Sequence, residues 1–315
     1  MASLHPLLFA LPFVVACSGG DEGVTPPSGP HFGYVSKKAN VPTNNNQARE
    51  FGLDLNDDGN PDNQLGMVLG TLAGQGFEVQ QTIDEAVAQG DIILLLDLQS
   101  PNFTSTTGAG IAIKLGDNPT PAACTDPANP TDATCSKHLD GNGTFEIASG
   151  SPENAGVSGK IAGGVFTGGP GNISLQIALG GTDPIQLDLI GARVKATSLS
   201  ESAIASVILA GALTQNDLDT KVIPAVHAQL APLIMRDCTG TAPPEPCGCV
   251  ANSTGKTVLG LFDTTPKDCT VTIEEIKTNS LIQSLLAPDV EIDGVEALSL
   301  GIKVEAVKAN FPLPQ

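Results

Sequence analysis

Aliphatic residues at every second position constrain this chain more than any other feature. Ile173, Leu175, Ile177 and Leu179 alternate with small or polar residues, as do Ile185, Leu187 and Leu189, and, near the C-terminus, Leu298, Leu300, Ile302 and Val304. A period of two places one set of side chains on one face of an extended strand, so each run predicts a half-buried β-strand. Ile111, Ile113 and Leu115 follow the same rule. Gly180-Gly181-Thr182-Asp183-Pro184 supplies turn residues between two of these runs and predicts an antiparallel hairpin. Ile92 to Leu98 (IILLLDL) is nearly continuous and reads as a buried strand. With 35 Gly, 24 Pro, one Tyr and no Trp, the composition suits a turn-rich β protein. The expected class is mainly β with packing helices (α+β), its antiparallel sheets arranged like a sandwich or a roll.

Three segments carry helical spacing instead. Leu65, Val68, Leu69 and Leu72 recur on one face, and Gly74 and Gly76 end that segment. Thr82-Ile83-Asp84-Glu85 has the capping-box pattern and predicts the start of a second helix stopped by Gly90. Leu218, Val222, Val226 and Leu230 form a third stripe, with Pro224 as an expected kink.

The apolar run Leu7 to Val15 is too short to span a bilayer and has the length of a signal-peptide core. It ends in Val14-Val15-Ala16-Cys17, which resembles a bacterial lipobox. That resemblance implies cleavage before Cys17 and acylation of Cys17, a membrane attachment through lipid alone. Ser18 follows the cysteine in place of Asp, and resemblance to enterobacterial lipoprotein sorting signals then implies the outer membrane. The mass of the mature N-terminus checks this, an intact Met1 being the contrary result. In outline the chain resembles uncharacterised lipoproteins of Gram-negative bacteria, a likeness that implies a location and no activity. The expected organisation is a signal peptide over 1–16, a flexible tether over 17–32, a β-rich domain over 33–236 and a disulfide-containing part over 237–315.

Beyond Cys17 stand six cysteines: Cys124, Cys135, Cys238, Cys247, Cys249 and Cys269. An even number outside the cytoplasm predicts disulfides. Cys124 and Cys135 flank one loop and are expected to pair. Cys247 and Cys249 are too close to bond each other, which leaves Cys238–Cys247 with Cys249–Cys269, or Cys238–Cys249 with Cys247–Cys269. A zinc site using the Cys-x-Cys and His227 is the alternative.

A formal net charge of -19 opposes capture of nucleic acid phosphates. The acidic run Asp54-Leu55-Asn56-Asp57-Asp58-Gly59-Asn60-Pro61-Asp62 points to calcium, which needs hard oxygen ligands converging from one short loop. Asp54, Asn56, Asp58, the Asn60 carbonyl and Asp62 fall at the required alternation, with Gly59 at the turn. The loop resembles the first nine positions of an EF-hand or a dockerin loop, with Leu65 where the bidentate Glu belongs. Asp263, Thr265, Asp268 and Glu275 form a degenerate second hand with one extra residue and Cys269 in place of the turn glycine. Enzyme motifs are absent: there is neither a Gly-x-Ser-x-Gly elbow nor His-Glu-x-x-His. The leading expectation is a membrane-anchored, calcium-stabilised structural or binding lipoprotein. The alternatives are an exported hydrolase using carboxylates and a carrier of a hydrophobic ligand; converging perturbed carboxylates favour the first of these and a long apolar cavity the carrier.

Overall fold

The alternating runs form strands that close on themselves. The computed structural model describes residues 25–74, 79–126, 132–178, 184–240, 246–264 and 266–314, so Cys17 and the segment before it lie outside the described residues. The described residues contain ten strands: β1 (His31–Asn40), β2 (Leu94–Gln99), β3 (Thr106–Thr120), β4 (Thr144–Ile147), β5 (Gly156–Ala162), β6 (Val165–Ile177), β7 (Ile185–Leu199), β8 (Ala203–Thr214), β9 (Val290–Ile292) and β10 (Val295–Lys308). Eight of them run in the antiparallel order β1-β2-β3-β5-β6-β7-β8-β10. Strands β6 and β7 pair antiparallel as expected, although most of the turn between them, 179–183, lies outside the described residues. Pairing of β10 with β1, from Tyr34↔Lys308 to Asn40↔Lys303, closes a barrel. The mainly β, antiparallel class is as expected, and the sandwich- or roll-like arrangement takes the more specific form of a barrel: β1 is paired on both sides, so the main sheet has no free edge there. Strand β4 pairs antiparallel with the end of β3, and β9 pairs with the start of β10.

Eight strands enclose a space just wide enough for side chains to fill. Leu96, Ile113, Phe166, Leu175, Leu189, Val207 and Leu300 fill it, together with Tyr34, whose hydroxyl donates to the Ser200 carbonyl at 2.7 Å. Outward positions carry Lys114, Lys160, Arg193, Lys195 and Lys303, which are half-buried or exposed. This apolar-in, charged-out pattern is the reverse of a lipid-facing barrel. Among the described residues no helix is long and apolar enough to cross a membrane.

Because β10 lies between β8 and β1, residues 290–308 belong to the same barrel as residues 31–214. The boundary expected at 237 falls instead inside a helical layer. Three helices, α1 (Asn45–Phe51), α2 (Gln64–Ala73) and α3 (Val79–Gln89), separate β1 from β2. Leu65, Val68 and Leu69 of α2 and Ile83, Ala86 and Val87 of α3 pack onto the barrel core. Helix α3 begins at Val79, so Thr82 is an interior residue and its capping-box reading is corrected. A genuine capping box occurs later, at Thr272 and Glu275.

After β8 the chain enters α4 (Gln215–Asp217), capped by the Thr214 hydroxyl, and a π-helical turn, Leu218–Val222. Lys221 ties this turn to the barrel through Asp188 of β7 at 2.9 Å and to α4 through Asp217 at 2.8 Å. Helices α5 (Ile223–Asp237), α6 (Thr254–Phe262), α7 (Ile273–Thr278) and α8 (Ser280–Leu285) then build the layer. Pro224 directly follows the π-helical turn, in a helical path that runs without a break from α4 into α5, so the irregularity expected at this proline takes the form of that turn; Pro232 lies further inside α5. The end of the expected tether is also revised, since Thr25 and Ser28 donate from their backbones to the Thr107 and Gly108 carbonyls.

Cys124 bonds Cys135 as expected. Of the two open connectivities, the structure has Cys238–Cys249 with Cys247–Cys269. The sulfurs are thus paired with one another, and His227 lies elsewhere, its Nε2 2.8 Å from the Val271 carbonyl oxygen. This arrangement replaces the zinc reading.

Candidate functional site

Helix α5 turns Ile223, Val226 and Leu230 inward at helical spacing, and α6 and α7 place Phe262 and Ile276 beside them. Facing them across the barrel mouth are Leu65, Val68 and Leu69 of α2, Val79 of α3, Ile177 of β6 and Leu187 of β7. The two surfaces do not meet completely. Between them lies a cavity of about 140 Å³, closed at the side by Ile282 and Leu286. Among the described residues its walls are entirely Leu, Ile, Val and Phe apart from Gln229, and none of them is charged.

The layer above the cavity is braced from within. Two disulfides cross it, Asp237 accepts from the Gly255 N–H at 2.8 Å, and Asn279 donates to the Leu261 carbonyl at 2.8 Å. Its buried core is separate from that of the barrel, and the two meet through half-buried Val226 and Leu286. Apolar contacts of this kind are non-directional, so a braced layer can shift on them without breaking specific bonds.

The first acidic loop lies on the outer wall. Leu55 is buried against Ala210, Ala212 and Ile292, and Leu53 bridges Asp62. Asp54 accepts from the N–H groups of Asp58 (3.1 Å) and Gly59 (2.9 Å), and Asn56 accepts from the same Asp58 N–H at 3.1 Å. Gly59 has φ +89°, the left-handed turn expected of it. Asp58 accepts from Asn60, and Asp62 from the Leu55 N–H at 2.7 Å. Partial burial raises the Asp62 carboxyl above its ordinary range, against the Leu55 hydrogen bond, and nearby Asp289, Asp58 and Asp54 push the same way. Arg193 forks onto Asp57 at 2.8 and 2.7 Å and holds that carboxyl low. Nothing in the loop's own sequence points to this cation, which comes from β7.

In the second loop, Asp263 accepts from the N–H groups of Asp268 and Cys269 at 3.1 and 3.0 Å. Glu275 accepts from Thr264 and Thr272, and these backbone N–H groups lower its pKa. Thr265 lies outside the described residues. Cys269 takes the glycine-like turn at φ +68° and is bonded to Cys247, so a disulfide closes this hand. Among the described residues, only Cys247, Asp263 and Cys269 bring three potential ligand atoms of His, Cys, Asp or Glu within 4.8 Å of one another. Two of those are the bonded sulfurs, which have no thiolate to offer a metal. Asp54, Asp58 and Asp62 do not reach that spacing.

Two further polar features were invisible in the sequence. Buried Asp97 accepts from His31 Nδ1 at 2.9 Å beside a shallow groove that includes Gln99 and Lys114; burial raises its pKa, against the His31 hydrogen bond. Among the described residues no group of three acidic or histidine ligand atoms forms there. His138, at 0% exposure, lies edge-on to Phe145 near the Val87 carbonyl, and among the described residues neither ring nitrogen has a partner in good hydrogen-bond geometry. Comparison with protein-family models, curated proteins and solved structures finds no match.

Proposed function

We propose that this protein is an extracytoplasmic, lipid-anchored binding protein for a small, neutral, mainly apolar molecule. The observation that carries the reading is the cavity between the barrel mouth and the disulfide-braced layer. Its volume of about 140 Å³ is close to that of an engineered apolar cavity, roughly 150 Å³, that stays dry and takes benzene. An empty space of this size costs stability because its walls lack contact partners, and a ligand restores them. Lipidation at Cys17 would hold the barrel at the membrane, where apolar molecules concentrate.

Titration of the full chain with toluene, followed by methyl NMR, tests the reading. Saturable shifts centred on Leu69, Val226 and Leu230 are expected, and Val226→Phe, which fills the space, should abolish them. Absence of saturable shifts up to the solubility limit contradicts it.

We also propose that Asp54, Asn56, Asp58, the Asn60 carbonyl and Asp62 take calcium as a structural ion. The support is the wrapped loop around Gly59, in which Asp54 and Asn56 both aim at the Asp58 N–H. Without a bidentate Glu, and with Arg193 already neutralising Asp57, affinity should lie near the roughly 0.1–1 mM of extracellular modules. At ten times Kd the folded state should gain about 1.4 kcal/mol by mass action. Calcium should therefore raise the melting temperature relative to EGTA, and Asp58→Ala should remove the rise. An unchanged melting temperature in millimolar calcium contradicts the proposal.

A further inference from the structure

Resting on the ligand-binding reading above, we infer that Gln229 sets the specificity of the cavity. Within the apolar class it selects neutral molecules that carry one hydrogen-bonding group, such as a small alcohol or ketone. Gln229 lies three residues after Val226 and one before Leu230 on α5, so helical geometry turns it toward the same space. It is half-buried in a wall whose other described members are all hydrocarbon. No hydrogen bond joins its amide to another described residue.

An amide offers both a donor and an acceptor, so it can serve a hydroxyl or a carbonyl equally. A charged ligand is disfavoured, because its ion would leave water for a space whose described walls provide no counter-ion. A pure hydrocarbon would fill the cavity but strip water from the Gln229 amide without replacing the lost bond. Sites that offer a hydrogen bond discriminate on this ground more sharply than apolar walls discriminate by shape.

The test compares toluene with benzyl alcohol, which differ by one hydroxyl, on the wild-type chain and on Gln229→Leu. Gln229→Met, which keeps the length of the side chain without its amide, is the second variant. Dissociation constants come from methyl NMR titrations. Both variants should keep or strengthen toluene binding, which also shows that they are folded. Both should lose affinity for benzyl alcohol about tenfold relative to toluene. A ratio of the two constants that is the same in wild type and variants overturns the role of Gln229 while leaving the cavity reading intact. Failure of the wild-type chain to bind either molecule overturns both.

Discussion

Replacing Asn63 by alanine should lower the stability of the fold by about 4 kcal/mol, the combined effect of a lost helix cap and of buried backbone groups left unpaired. Strand β1 stops pairing with β10 at Asn40↔Lys303, so Gly301 meets no β1 residue on that side. The buried Asn63 side chain takes the place of a strand residue. Its Oδ1 accepts from the Gly301 N–H at 2.8 Å, and its Nδ2 donates to the Gly301 carbonyl at 3.0 Å and to the Ala48 carbonyl at 2.9 Å. The same Oδ1 caps α2 by accepting from the Gly66 N–H at 3.0 Å. Gly301 must be glycine for this approach, since a Cβ there would collide with the Phe51 carbonyl. Losing the cap costs about 1 kcal/mol, and each buried group left unpaired adds about 1–3 kcal/mol. Asn63→Asp should also destabilise at neutral pH, because it turns a carboxylate oxygen toward two carbonyls, and should recover partly in acid. Urea unfolding measures both, and a loss below about 1 kcal/mol for the alanine variant contradicts the closure mechanism.

Acidification should remove about 3 kcal/mol of stability through His138 alone. Burial pushes its pKa down to about 4 from the ordinary 6.5, and the opposing pulls of the Val87 carbonyl and the Asp140 charge do not restore it. The unfolded chain therefore takes up the proton first. This group leaves stability unchanged above its unfolded pKa, costs progressively more as pH falls from about 6.5 to 4, and adds nothing further below that. Several carboxylates act in the same direction at lower pH, among them Asp237, held near 2 by Arg236 and the Gly255 N–H. His138→Leu isolates the histidine contribution. Its stability relative to wild type should rise between pH 7 and pH 4, and parallel pH profiles for the two proteins would exclude this assignment.

The difference between what the sequence reveals and what it hides follows from where the information lies. Alternation in β3, β6, β7 and β10 names the inward face of each strand, since a period of two is a local property. Strand β8 escapes this reading because Ala210 and Ala212 are buried outside the barrel, beneath Leu55, while Val207, Leu209 and Leu213 are buried inside it. Buried on both faces, it shows no alternation. Closure is equally hidden: a sandwich and a barrel share the same strand pattern, and the deciding β1–β10 pairing joins segments more than 250 positions apart. Cysteine spacing excludes Cys247–Cys249 but leaves two connectivities that only the packing of α5 against α6 separates.

The functional features follow the same division. The Asp54–Asp62 loop is legible because its ligands sit in nine consecutive positions, whereas the Arg193 that neutralises Asp57 comes from a distant strand. His138 lies in the polar run His138-Leu139-Asp140-Gly141-Asn142-Gly143, which reads as a surface turn, yet its ring is buried between α3 and Phe145. The cavity has no local signature at all. Val226 and Leu230 read as an ordinary core stripe, and only their incomplete contact with α2 and the barrel mouth leaves a space.

That space is tested most directly by a crystal structure determined under xenon pressure, because xenon enters dry apolar cavities without needing a hydrogen bond. One strong xenon site is expected between α2 and α5, in contact with Leu69, Val226 and Phe262, and it should be lost in Val226→Phe. Wild-type crystals with no xenon at that position, or with side chains collapsed into the space, would contradict the binding role.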